Sequence, residues 1–385
     1  MNKANDVKII NISAILRSVY KNKSITKSRI SSELGITFAT ASNLISELCN
    51  IGICEEDGFV SNGGRNATLY RINNNYGYII SLDLTRNGLV SYIHDLSLNT
   101  VGREYLACDI TDVMESVNKM KKLLLTQIEK LNGKRVIGIG ISVPGRVSDT
   151  GVIISIPDYP QWNSVQLKSI LSESISLPIH IDNDTNALLL SSKWNGIAEA
   201  SGSVVYLNTD DGMGAGFMIN DRVFQGSNNQ SCEVGHITID PNGPLCNCGN
   251  RGCLQAYISN DEILGQINAM SNSSVSTIDE AIELYESGDK SVQSAFLRAT
   301  TYISLAIRNV IMVFDPELII VQNKLFKHFP DLFNHIENTV FKAKTDRFGL
   351  PIRNKLNVLL NRDSHIIEAA SDSIVLHDFM WSFTI

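Results

Sequence analysis

The sequence predicts an α/β protein with a winged helix-turn-helix head joined to a two-lobed body. Three observations predict it. Two short helical stretches joined through a glycine precede a glycine-rich hairpin near the start, strands alternate with helices from residue 76 onward, and one His and three Cys gather late in the chain. The boundaries read as a head over 1–75, a first α/β lobe over 76–195 and a second lobe over 196–385. A chain of 385 residues has room for three such units, and 43% hydrophobic against 19% charged residues is the balance of a packed chain. No stretch approaches the roughly 18 consecutive apolar residues of a membrane span. The opening MNKANDVKII lacks the apolar core and cleavage site of a secretory signal, so a cytoplasmic protein without a membrane partner is expected.

In the head, Ile10, Ile12, Ile15, Leu16 and Val19 recur at helical spacing over 7–20. Ser24 or Thr26 can cap a second helix over 27–34, Gly35 supplies the turn, and Thr37 caps a third helix running to about Asn50. On that third helix Ala41, Leu44, Ile45 and Leu48 face inward, while Phe38, Ala39, Ser42, Asn43 and Ser46 face outward. Strands around 53–56 and 68–72 flank the loop Asn62-Gly63-Gly64 and make a β-wing with Arg65 near its tip. Helix, turn, helix and wing in this order point to double-stranded DNA. Phe38, Ala39, Thr40, Ser42 and Asn43 would face base edges, and Lys21, Lys23, Lys27, Arg29 and Arg65 would meet phosphates or the minor groove. The third helix has no Lys or Arg, so arginine-to-guanine readout is absent there and Asn43 is left to pair with adenine. A helical bundle used for protein contacts is the competing account. Charge agrees with DNA but does not decide: residues 1–72 carry nine Lys+Arg and six Asp+Glu, against twenty-four and thirty-four in the remainder. A merely solvated face would give the same balance.

The body opens with a hairpin over 78–84 and 89–96, a long amphipathic helix over 113–131, and a buried strand over 135–143 that ends at the turn Pro144-Gly145-Arg146. A short strand over 177–181 leads through Asn183-Asp184-Thr185-Asn186 into a helix over 187–194, and a strand over 203–207 opens the second half. The run from Asp211 to Phe217, with Gly212, Gly214 and Gly216, either cradles phosphate or forms a tight hairpin.

Seven cysteines are present, and Cys246, Cys248 and Cys253 fall within eight residues, ten residues and more after His236. One imidazole and three thiolates, with Gly249 and Gly252 letting the chain fold round an ion, make a closed tetrahedral site of the structural zinc kind. Iron is disfavoured because iron–sulfur clusters usually take four thiolates. Ordinary buried cysteines explain the clustering poorly, though they suit Cys49, Cys54 and Cys108.

Together these motifs resemble the ROK family of repressors, open reading frames and kinases, over nearly the whole chain. GHITIDPNGPLCNCGNRGCLQ matches its G-H…C-x-C-G-x-x-G-C-L-E segment, GIGISVPGRV its G-x-G-x-P-G-x-V stretch, IDNDTNALLLSSKWNG its N-D-A-N segment and GMGAGFMINDRVFQG its glycine run. The head with GGRN resembles the winged helix of the family's xylose- and N-acetylglucosamine-type repressors, with Asn66 in the usual proline place. The resemblance implies an actin-like, hexokinase-like ATPase-type body that binds a pyranose between its halves. By position it implies Asn183, Asp184 and Glu233 on sugar hydroxyls, His236 on both zinc and sugar, and Gln255 where the family carries a glutamate.

The kinase apparatus departs from the family pattern at three places. The first phosphate loop reads Asp83-Leu84-Thr85-Arg86-Asn87 without glycine, the second begins with Asp210-Asp211, and the nucleotide-side glycine pair is Gln322-Asn323. Asp184 keeps the position of the catalytic base, but a base without an ATP cradle does not phosphorylate, so Asp184 is expected only to bind sugar. A sugar-responsive repressor, released from its operator by a small sugar or sugar phosphate, therefore explains more than an active ATP-dependent sugar kinase or a zinc-stabilised interaction module. A homodimer or dimer of dimers on an inverted repeat is expected, because one winged helix reads only a short half-site.

Overall fold

The computed structural model describes residues 3–61, 66–210, 212–229, 231–270, 274–340 and 357–383. They fall into two compact units, Met1–Glu199 with His365–Ile385, and Ala200–Ser364.

The first unit begins with α1 (Lys3–Asn22), which buries Ile12, Ile15, Leu16, Val19 and Tyr20 at helical spacing. Ile10, expected on that stripe, lies on the exposed side. The strand β1 (Ile25–Thr26) leads into α2 (Lys27–Leu34), whose N-cap is Thr26, accepting from the Arg29 amide. Gly35 ends it at φ 63°, a left-handed backbone that glycine takes without Cβ strain. Thr37 caps α3 (Phe38–Asn50) by accepting from the Thr40 amide, and Ala41, Leu44, Ile45 and Leu48 are its buried face, as expected. The wing is β2 (Cys54–Ser61) antiparallel to β3 (Asn66–Ile72), with β1 on the other edge of β3. Both strands run longer than expected, because an irregularity between Glu56 and Phe59 bends β2 and lets pairing resume toward the tip.

A five-stranded sheet follows, in the order β10-β7-β4-β5-β6. The strands β4 (Tyr78–Thr85), β5 (Gly88–Asp95) and β6 (Thr100–Ala107) are an antiparallel meander, against which α4 (Val113–Lys130) packs from its Asp112 cap. Strand β7 (Val136–Val143) lies parallel to β4; the ribbon β8 (Arg146–Val147) and β9 (Ile153–Ser155) and the helix α5 (Leu167–Ser172) follow. Strand β10 (Ile179–Asn183) then pairs in parallel with β7 and runs straight into α6 (Asp184–Trp194).

The second unit holds a five-stranded sheet with β11 (Ser203–Asn208), β12 (Gly214–Ile219) and β13 (Arg222–Val223) in an antiparallel arrangement. The glycine run is thus a hairpin strand. The helices α7 (Gln255–Ile258), α8 (Asn260–Met270), α9 (Ile278–Glu286) and α10 (Lys290–Phe314) come next. Strand β14 (Leu318–Gln322) pairs in parallel with β11, followed by α11 (Lys324–His328), α12 (Pro330–Val340) and β15 (Asn357–Leu360), parallel to β14. By length and composition α10 could cross a membrane, but Phe296, Ala299, Ile303, Ile307 and Val310 on its inner side are buried in the core of this unit. It is an amphipathic core helix.

After α13 (Ser364–Glu368) the last helix, α14 (Ala370–Ser382), departs from the sequence division, which put 365–385 in the second lobe. It packs on β7 and α6 of the first unit, and the two glycines of β7 explain why. A Cβ on Gly140 would lie 2.0 Å from Ser371 O, and one on Gly138 would lie 3.0 Å from Val375 Cγ1. The head is also not a separate body: its core residues continue into Ile79, Leu96, Trp194, Leu376 and Met380. Tyr20 meets Trp194 edge to face at 5.2 Å, and the Arg17 guanidinium sits 3.7 Å from the centre of the Trp381 ring.

Candidate functional site

In the second unit His236, Cys246, Cys248 and Cys253 converge, one donor atom from each lying within 4.8 Å of the others. Cys248 Sγ is 3.6 Å from Cys253 Sγ, and Cys246 Sγ is 3.7 Å from His236 Nδ1. A tetrahedral ion with sulfur at about 2.3 Å and nitrogen at about 2.0–2.1 Å has ligand–ligand edges of about 3.5–3.8 Å, so these four donors fit a metal. Local chain geometry brings them together. His236 closes a 3-10 turn, Val234–His236, and bridges pair Thr238 with Cys253 and Leu245 with Arg251. The Cys246 amide donates to Asn250 O and the Gly249 amide to Cys246 O, which folds the thiolates back on themselves. Gly252 has φ +68°, and a Cβ there would lie 1.5 Å from Asp240 O, so glycine is required. Ligation through Nδ1 would leave the His236 Nε2–H as a hydrogen-bond donor. Glu233 is exposed at the start of the same turn and Gln255 is half-buried beside it: a Cβ on Gly235 would lie 3.2 Å from Gln255 Oε1.

Asn183 and Asp184 belong to the first unit, where β10 passes into α6. Asn183 is the helix cap. Its Oδ1 accepts from the Thr185 and Asn186 amides, and its Nδ2 donates to Gly145 O at 3.0 Å. Most of its hydrogen-bonding capacity is therefore structural, which the sequence reading missed. Asp184 accepts from the Thr185 amide at 2.7 Å and the Thr185 hydroxyl at 3.2 Å. Burial pushes its pKa up to about 6 against those hydrogen bonds. Asp83, at the head of the loop that lacks glycine, is a second carboxylate of the same kind. It accepts from Ser142 Oγ at 2.7 Å and from Ser371 Oγ, and burial raises it to about 6, with Asp372 and Asp184 adding repulsion. No local motif signals the Ser371 contact, since the partner lies 288 residues away.

The positions that the family resemblance assigns to phosphate hold other structures. Between β4 and β5, Thr85 pairs with Gly88 and only Arg86 and Asn87 turn the chain, so no glycine loop forms there. In the second unit Gln322 and Asn323 replace the glycine pair with a buried network. Tyr206 donates to Gln322 Oε1 at 2.7 Å, Asn361 Nδ2 donates to the Tyr206 oxygen at 2.9 Å, and Gln322 Nε2 donates to Asp210 Oδ2 at 2.8 Å. Asn323 caps α11 and donates to Thr209 Oγ1 at 2.8 Å. Asp210 accepts from the Lys324 amide at 2.5 Å, so the chain places its own carboxylate at the start of that helix. Asp211 lies outside the described residues.

On the head, Phe38, Ala39, Asn43 and Ser46 are exposed along α3 and Ser42 is half-exposed. Thr40 shares its hydroxyl with Thr37 at 2.9 Å, a capping contact. Lys27 donates to Ser42 Oγ and Ser46 Oγ, each at 3.2 Å, and sits 5.2 Å from the Tyr70 ring centre. Arg29 pairs with Glu33 at 2.9 Å while remaining largely exposed. Arg65 lies outside the described residues.

The model of the ROK family matches residues 79–356, most of the body and both of its halves. The chain belongs to the ROK family. It is 33% identical over 351 residues to the xylose repressor of Caldicellulosiruptor bescii, covering 85% of this chain and 86% of that one. A crystal structure of a ROK family transcriptional regulator, a homologue of the Escherichia coli MLC protein, shares the fold with a TM-score of 0.81 at 23% identity, covering 97% of this chain and 98% of the other. The ROK hexokinase of Thermus thermophilus has a TM-score of 0.66 at 21% identity and covers 97% of its own length but 77% of this chain.

Proposed function

We propose that this ROK protein is a sugar-responsive transcriptional repressor, and that it is a regulator rather than an enzyme. The observation that carries the reading is the capped, outward-facing helix α3 with its wing, built into the same compact unit as Asp83 and Asp184. Residues 1–75 form the DNA-reading element, the α/β segments behind it bind the effector, and the protein works in the cytoplasm as a homodimer or dimer of dimers on an inverted repeat. Lys27, Arg29, Phe38, Ala39, Thr40, Ser42, Asn43 and Arg65 are the candidates for DNA contact. Relatives named xylose repressors make a pentose pyranose the first effector to test. In the first unit Asp184 and the remaining Nδ2 hydrogen of Asn183 suit sugar hydroxyls, and in the second unit Glu233, His236 and Gln255 do so separately, because each accepts or donates at short range.

The four donors at His236, Cys246, Cys248 and Cys253 would hold one structural zinc ion per chain. Zinc would supply cross-linking of the loop that carries His236, and with four protein ligands it keeps no position open for catalysis. The reading without ATP chemistry rests on the Gln322–Asn323–Tyr206–Asn361 network and on the closed β4–β5 turn.

Mobility-shift binding to DNA flanking the protein's own gene, run beside a coupled ADP-release assay with xylose and other pyranoses, tests the function. A shift that sugar weakens, without ADP release, supports it. Sugar-dependent ADP release near the ~1–100 s⁻¹ usual for kinases, without DNA binding, overturns it.

A further inference from the structure

The outward face of α3 has a chemistry of its own. Phe38 is its first residue and is 56% exposed, a large ring left in water beside exposed Ala39. One turn on, Ser42 is half-exposed and Asn43 exposed, and Ser46 follows. The helix carries no Lys or Arg, and the nearby ammonium of Lys27 is already shared between Ser42 Oγ, Ser46 Oγ and the Tyr70 ring. Recognition helices of this motif present their N-terminal residues to base edges, and here the Thr37 cap holds that end in place.

In the major groove guanine offers two acceptors, which call for a cationic fork or a Lys. Adenine offers an acceptor beside a donor, which matches one carboxamide, and thymine alone offers a methyl group. Phe38 and Ala39 have only apolar surface to give, and Asn43 has the matching amide. We propose that the first two turns of α3 read an A·T-rich half-site, with Phe38 and Ala39 covering thymine methyl groups and Asn43 pairing with an adenine edge. The inference rests on the DNA-binding reading above and adds to it the bases that are read.

The test uses the full-length protein. Duplexes are selected from a random library, and the selected site is then titrated by fluorescence anisotropy with each thymine replaced in turn by deoxyuridine, which lacks only the methyl group. The proposal expects A·T-rich half-sites. It expects about fourfold weaker binding when the thymine facing Phe38 loses its methyl group, and no such loss in Phe38→Ala. Asn43→Ala should lose about tenfold and accept any base at one adenine position. Both side chains are exposed, so unchanged melting temperatures confirm that the variants are folded. Half-sites selected for G·C pairs, or indifference to every thymine-to-deoxyuridine change, overturn the reading of α3 while leaving DNA binding standing. Failure to enrich any duplex overturns DNA binding itself, and this inference with it.

Discussion

Asp83 and Asp184 are carboxylates whose surroundings disfavour their charge. Burial raises each from 3.8 to about 6 despite hydrogen bonds from Ser371 and Ser142 in one case and Thr185 in the other. The folded protein therefore binds more protons than the unfolded chain between about pH 4 and about pH 6, and these groups make stability fall as pH rises through that window. Asp83→Asn keeps the shape and removes the charge. Thermal melts should place it several degrees above the wild type near pH 7.5, with the difference vanishing near pH 4. A lower melting temperature at neutral pH would count against the buried charge. At the metal cluster, Cys248→Ser should leave less than about half an equivalent of zinc by elemental analysis, where the wild type holds about one, and should destabilise the second unit. The convergence of these four side chains was legible because Cys246, Cys248 and Cys253 are close in sequence and the turn glycines lie among them. Asp83 was not, because Ser142 and Ser371 reach it through sheet pairing and a helix from the far end of the chain.

Helix ends and their caps were readable in the head, since Thr26, Gly35 and Thr37 act on neighbours three or four residues away. The last helix was not readable as part of the first unit. Its partner surface is the pair Gly138 and Gly140, and nothing local to 370–382 says which sheet will accept it. The consequence is that α6 and α14 both run from carboxylate positions to the head: α6 from Asp184 to Trp194, which meets Tyr20, and α14 from Ser371, bonded to Asp83, to Trp381, which meets Arg17. Trp194→Ala removes a buried ring under the head and should cost about 3–5 kcal/mol in the first unit. Hydrogen exchange should then speed up across α1 while α10 keeps its protection; equal change in both helices would mean that Trp194 does not hold the head. On the nucleotide side, Asn323→Gly should lose the α11 cap and the bond to Thr209 without creating kinase activity, because Gln322 and Asp210 still close the position.

The hexokinase whose fold this chain shares covers 77% of it, and a buried polar network surrounds Gln322 at the end of β14. A body that binds sugar can sense it without phosphoryl transfer, provided the sugar binds the DNA-free state more tightly than the DNA-bound one. The proposed repression depends on that difference in affinity, and the proposed dimer would use it by reading two half-sites together. The most direct measurement is a fluorescence-anisotropy titration of an inverted-repeat operator with wild type and Asp184→Ala, each with and without a saturating concentration of the pyranose that weakens the wild-type mobility shift. Both proteins should bind the operator equally well without sugar, and the sugar should release the wild type but not the variant. Equal release of both proteins, or loss of operator binding by Asp184→Ala without sugar, would contradict the proposal.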